Sequence, residues 1–163
     1  MKRKETNPKS EFIYLDIGGI TIQSIKQSVT MTEELTSEGK CVYCNEVFTQ
    51  NAIVKHLATH FKKQEKENRA EHENVYHLNV EADEMFLQVL VKGGASFKTL
   101  DTFLRKIWVE CCGHLSDFHH KKFEIRMSDK FDMVLTPKLK FDYSYDYGST
   151  TSFSIQVCGS YQI

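Results

Sequence analysis

The chain has 163 residues, 40% hydrophobic and 12% aromatic, which suits one compact domain with a small appendage and excludes a disordered chain. Its 21 basic and 22 acidic residues leave a formal net charge of -1, so no global basic field advertises nucleic acid and any charge-driven partner must use a local patch. Two prolines and eight glycines exclude a low-complexity chain, and no apolar run approaches the roughly 20 residues that cross a bilayer, so no membrane partner is expected. The basic start MKRKETNPKS has no apolar segment behind it, which predicts no secretory leader and a cytoplasmic protein. In that setting five cysteines and seven histidines point to metal or thiol chemistry rather than a disulfide framework.

The first stretch, residues 1–39, contains EFIYLDIGGITIQ, two apolar-rich runs about Gly18-Gly19, which predicts a short β-hairpin. SIKQSVTMTEELTSEG follows as a connector with some helical tendency. Residues 40–63 carry the strongest chemistry. Cys41 and Cys44 are separated by two residues, eleven residues follow, and His56 and His60 are separated by three. The cysteine pair forms a knuckle, and histidines four apart project from one face of a helix, so the four can close a tetrahedron about zinc. Phe48 and Ile53 supply the small apolar core such a module needs, with Val47, Val54 and Leu57 as supplements.

This set resembles the two-Cys, two-His zinc finger family over about twenty residues, with one residue fewer between Cys44 and His56 than the usual twelve. Lys40, Lys55, Lys62 and Lys63 against Glu46 give the segment a local charge of plus three. If the helix docked as a DNA-reading finger does, Thr49, Ala52 and Lys55 would face the bases, and Ala52 offers no hydrogen bond. Lys40, Thr49, Lys55, Lys62 and Lys63 are therefore the candidate nucleic-acid contacts. A protein partner and a purely structural staple are the competing roles. One finger spans only about three base pairs.

Residues 64–74, QEKENRAEHEN, read as a charged spacer, the solvated end of the preceding helix. The main domain is expected over 75–163. YHLNV and MFLQVLVKG alternate as two half-buried strands, with Tyr76, Leu78 and Val80 inward on the first and Met85, Leu87, Val89 and Val91 on the second. TLDTFLRKIWVECCG has Leu100, Phe103, Leu104, Ile107, Trp108 and Cys111 at helical spacing, with Thr99 as N-cap, Asp101 in the first turn and Gly113 as the stop. FEIRM is a short strand. KFDYSYDY places Phe141, Tyr143, Tyr145 and Tyr147 on one face, and a Gly148-Ser149 turn leads to a strand with Phe153, Ile155 and Val157 inward. The expected fold is α+β: a two-layer domain, mostly antiparallel sheet with one main helix, preceded by a small ββα-like zinc finger.

A second resemblance rests on Leu100-Asp101, Arg105, Ile107-Trp108, the run Glu110 to Ser116, Phe118, and Tyr145 to Thr151. These pieces look like the plasmid ORF-three-like family of uncharacterised bacterial and archaeal proteins, over about half the chain. The resemblance implies a fold and no activity to carry over. Among the residues themselves, no Walker loop, dinucleotide fingerprint or serine elbow is present, and Gly93-Gly94 lacks the Lys-Ser or Lys-Thr of a phosphate loop. The reading is a zinc-binding protein without an evident catalytic site, a nucleic-acid- or protein-binding module. The alternative is an enzyme of unknown reaction class using His114 with Asp142 and Asp146, with Cys112 as a further candidate.

Overall fold

The structure, a computed structural model, describes residues 20–24, 37–67, 73–83, 85–109 and 112–163. The Gly18-Gly19 turn, the strand before it and nearly all of the following connector lie outside the described residues. The segment after the turn is a strand, β1 (Ile20–Ser24). A small hairpin follows, β2 (Glu38–Lys40) and β3 (Val47–Thr49), and then the 18-residue helix α1 (Gln50–Glu67). The remainder supplies β4 (Asn74–Ala82), β5 (Met85–Lys92), α2 (Phe97–Leu104), β6 (Ser116–His120), β7 (Phe123–Ile125), α3 (Phe131–Val134), β8 (Lys140–Tyr145) and β9 (Thr151–Gln162). Seven strands form one sheet in the order β1-β5-β4-β9-β8-β6-β7, every pairing antiparallel. The α+β class and the ββα arrangement of the finger are as the patterning predicts.

One face of the sheet carries the main core. Leu78, Val80, Leu87, Val89, Val91, Phe141, Tyr143, Phe153, Ile155 and Val157 pack there against Phe97, Leu100, Phe103 and Leu104 of α2. The helix starts earlier than its sequence suggests. Ser96, not Thr99, is the N-cap, and it makes no side-chain cap. Instead the Phe97 and Lys98 N–H groups donate to the carbonyls of Asp129 and Met127, so the chain itself supplies the partners a capping side chain would provide. Past Leu104 the helix widens into a π-helical turn, Arg105–Val109, whose Ile107, Trp108 and Val109 rest half-buried on the core. Cys111 lies outside the described residues, and Gly113 takes a left-handed φ of 70°.

Two strand readings change. β4 and β5 are buried on both faces, not one, because α1 lies across the side that carries His77, Asn79 and Gln88. Ile53, Leu57 and Phe61 of α1 pack there against Phe86 and Leu90 of β5 and Tyr161 of β9. Gly159 makes room for this contact: a Cβ there would lie 2.7 Å from the Tyr161 hydroxyl, whose ring stands 5.1 Å from that of Phe61. Tyr147 does not join Phe141, Tyr143 and Tyr145 in the core. The strand ends at Tyr145, Asp146 turns to a φ of 58°, and Tyr147 is 56% exposed. The connection to β9 is therefore a five-residue loop, 146–150, held by Asp146 Oδ1 accepting from the Gly148 N–H, rather than a two-residue turn.

Candidate metal centre

The sequence builds the finger from local rules. In the knuckle, the Cys41 N–H donates to the Glu46 carbonyl and the Asn45 N–H to the Cys41 carbonyl, both at 2.9 Å. That turn needs a left-handed residue, and Asn45 supplies it at a φ of 65°. The β2–β3 hairpin then feeds directly into α1, whose turns stack His56 over His60.

The ligand atoms of Cys41, Cys44, His56 and His60 all lie within 4.8 Å of one another, which is close enough to hold a metal ion. Cys44 Sγ is 3.2 Å from His56 Nε2, and His60 Nε2 is 3.1 Å from the same nitrogen. A tetrahedral ion with metal–sulfur bonds of about 2.3 Å and metal–nitrogen bonds of about 2.0 Å sets its ligands roughly 3.3–3.8 Å apart. Four donors already gathered to that scale need only small adjustments. Among the described residues this is the one such group of histidine, cysteine and carboxylate side chains.

Burial prepares the donors unequally. Cys41 is fully buried, and this pushes its thiol up, so a cation must displace its proton. Burial, with His56 and Lys63 nearby, lowers the pKa of His60 and favours the neutral imidazole a metal requires. Each ligand ring also has an aromatic backing that the sequence reading did not foresee. Tyr43 stacks on His60 at 4.8 Å and 27°, and Phe48 stacks on His56 at 4.1 Å and 24°. Phe48 is thus a wall for a ligand as well as a core residue. Ile53 and Leu57 are the buried apolar pair, whereas Val47 is exposed. An aromatic two residues after the first cysteine was the available signal for Tyr43.

The candidate nucleic-acid contacts divide by position. Thr49, Lys55, Lys62 and Lys63 are exposed, and Lys40 is half-buried on β2 opposite Val47. Lys55, Lys62 and Lys66 share the stripe of α1 opposite Ile53, Leu57 and Phe61, so docking leaves that stripe and Ala52 open to solvent. Lys63 pairs with Glu67 at 3.9 Å.

The alternative site is not assembled as one cluster. His114 Nδ1 is 3.6 Å from Asp146 Oδ1, whereas Asp142 Oδ2 is 3.9 Å from a different histidine, His119 Nε2. Asp142 stands on β8 in register with His119, while Asp146 lies in the loop beyond the strand. Cys112 is an exposed free thiol. Gly93 is no phosphate cradle either: a Cβ there would meet the Asp132 carboxylate, and the Asp132 N–H donates to the Gly93 carbonyl.

Near that region lies a cluster absent from the sequence reading. Asp101 is 0% exposed and accepts from Ser116 Oγ at 2.6 Å, Lys98 Nζ at 2.7 Å, and Arg105 Nε and Tyr143 Oη at 2.9 Å. Burial alone would raise its pKa, but these donors hold the carboxyl below its ordinary value. Arg105 continues the cluster to the His114 carbonyl at 2.7 Å and lies over the Tyr145 ring. None of the buried polar atoms of this cluster lacks a partner, so it forms a hydrogen-bonded clasp between α2, β6 and β8.

No helix among the described residues is long and apolar enough to cross a membrane. No protein-family model, curated protein or solved structure matches the chain.

Proposed function

We propose that Cys41, Cys44, His56 and His60 bind one structural zinc ion, and that the finger so closed presents the outer face of α1 to nucleic-acid phosphates. The donor set supports zinc: two thiols and two imidazoles within 4.8 Å of one another, with no carboxylate among them, suit a borderline-soft ion in a closed site. Thiol ligands also suit the reducing cytoplasm. The observation that carries the contact is the open lysine stripe of Lys55, Lys62 and Lys66 on the side away from the sheet. Ala52, exposed at a base-facing position, offers no hydrogen bond, so the contact is to the backbone and tolerant of sequence.

The resemblance to the plasmid ORF-three-like family belongs to the same proposal. It rests on the sequence motif alone; in the structure Asp101, Arg105, Ser116 and Tyr145 of that motif meet at one clasp.

The test is binding of the zinc-loaded protein to a duplex oligonucleotide across a salt series. The logarithm of the affinity is expected to fall linearly with the logarithm of salt concentration. Reversing Lys55, Lys62 and Lys66 to Glu should flatten that slope by about one unit per lysine. Binding that ignores both salt and the triple reversal sinks the phosphate contact and leaves a protein partner as the role for this face.

A further inference from the structure

We infer that metal occupancy of the finger opens and closes the face of the sheet beneath α1, so that the finger is a metal-held cover. This rests on the metal reading above. Three observations carry it. The first is a shared residue: Cys41 belongs to the ligand cluster and, fully buried, to the apolar cluster that joins α1 to Phe86, Leu90 and Tyr161. The second is local order. Leu57 and Phe61, the docking side chains, directly follow the ligands His56 and His60, so fixing the two rings also fixes the face that α1 turns to the sheet.

The third is the character of the covered face. Strands buried on both sides ordinarily read as continuous apolar runs. Here His77, Asn79 and Gln88 lie beneath the helix in a polar chain: His77 Nε2 is 2.7 Å from Gln88 Oε1, and Gln88 Nε2 donates to Asn79 Oδ1 at 2.5 Å. Asn79 passes the chain to Glu81, which also accepts from Gln50 at the first turn of α1 at 2.6 Å. His77 Nδ1 has no hydrogen-bond partner, and its ring stands 5.2 Å from Phe61. The polar groups of this face are costly to keep dry, and they can hydrogen-bond to water once uncovered. The cover itself is a module of about thirty residues, too small to hold its shape without its metal.

Opening leaves the other face of the sheet intact. Trp108, the single tryptophan, packs 5.1 Å from Phe153 on the α2 side and reports on that core independently.

The experiment uses the full chain loaded with zinc, before and after excess chelator. Three things are measured: bound zinc, modification of His77 by an imidazole-acylating reagent located by mass spectrometry, and Trp108 fluorescence. The expected result is a His77 that is protected when zinc is bound and reacts at least about tenfold faster after chelation, with Trp108 emission unchanged. By reciprocity, Phe86→Ser should weaken zinc binding about tenfold although it touches no ligand. Zinc that leaves while His77 stays protected overturns the cover and spares the metal site. Loss of the Trp108 signal together with zinc overturns it as well, since opening would then be global unfolding. A chain that binds no zinc at the outset removes both readings.

Discussion

Strands β4 and β5 are buried on both faces of the sheet, and the two faces are held differently. On the α2 side protein contacts alone hold the helix: Phe97, Leu100, Phe103 and Leu104 are fully buried, and the one charge among them, Asp101, accepts from four side-chain donors. On the α1 side Ile53, Leu57 and Phe61 are just as dry, yet they cover a polar chain that ends in an unpartnered nitrogen. Their helix carries His56 and His60, two of the four donors gathered at the candidate metal centre. Burial therefore does not measure autonomy. One layer is held by packing and side-chain hydrogen bonds; for the other, the proposed metal would supply a cross-link between hairpin and helix.

The sharpest way to break this contrast is Asp101→Ala, which strands Arg105, Ser116 and Tyr143 together. A loss of about 3–5 kcal/mol is expected in denaturant unfolding followed at Trp108, with zinc content of the folded fraction unchanged. A loss below about 1 kcal/mol would show that the clasp is dispensable. Gly93→Ala tests the edge of the same layer. Its Cβ would overlap Asp132 Oδ1, which accepts from Tyr76 Oη at 3.0 Å and Asn74 Nδ2 at 3.1 Å. Displacing that carboxylate should cost about 1–3 kcal/mol, read as a lowered denaturant midpoint.

The α1 side responds to pH instead. Burial lowers His77 from 6.5 to about 4, so as pH falls through this window the unfolded chain takes up a proton that the folded protein refuses. Stability from this group is complete above pH 6.5 and is lost on acidification, by up to about 1.4 kcal/mol per pH unit until His77 itself protonates near pH 4. His77→Gln should remove that slope; equal slopes in the two proteins would contradict a buried neutral imidazole. The smallest expected effect is at the ligand backing. Tyr43→Ala should weaken metal affinity about tenfold in a competition titration and leave unfolding at Trp108 unaltered.

What was legible in the chain follows the same division. The four candidate donors were readable because their spacing is local: a knuckle and one helical turn each lie within a few residues. The inward positions of β8 and β9 were readable from alternation, as Phe141, Tyr143, Phe153 and Ile155 show. The docking of α1 was not, because it depends on residues far apart, with Phe61 meeting Tyr161. His77, Asn79 and Gln88 made β4 and β5 look solvated on one side, since a polar residue under a helix has the same pattern as one facing water. Asp101 looked like a helix-dipole residue until β6 and β8 brought Ser116 and Tyr143 to it. Tyr147 continued the alternation past the point where Asp146 ends the strand.

Metal stoichiometry tests the centre of this picture most directly. Native mass spectrometry of the full chain, purified under reducing conditions with zinc, should show one zinc per chain that Cys44→Ser sharply reduces and Cys112→Ser leaves in place. A wild-type chain without bound metal, or a Cys44→Ser chain that keeps it with undiminished affinity, would contradict the four-ligand centre and with it the cross-link that separates the two faces.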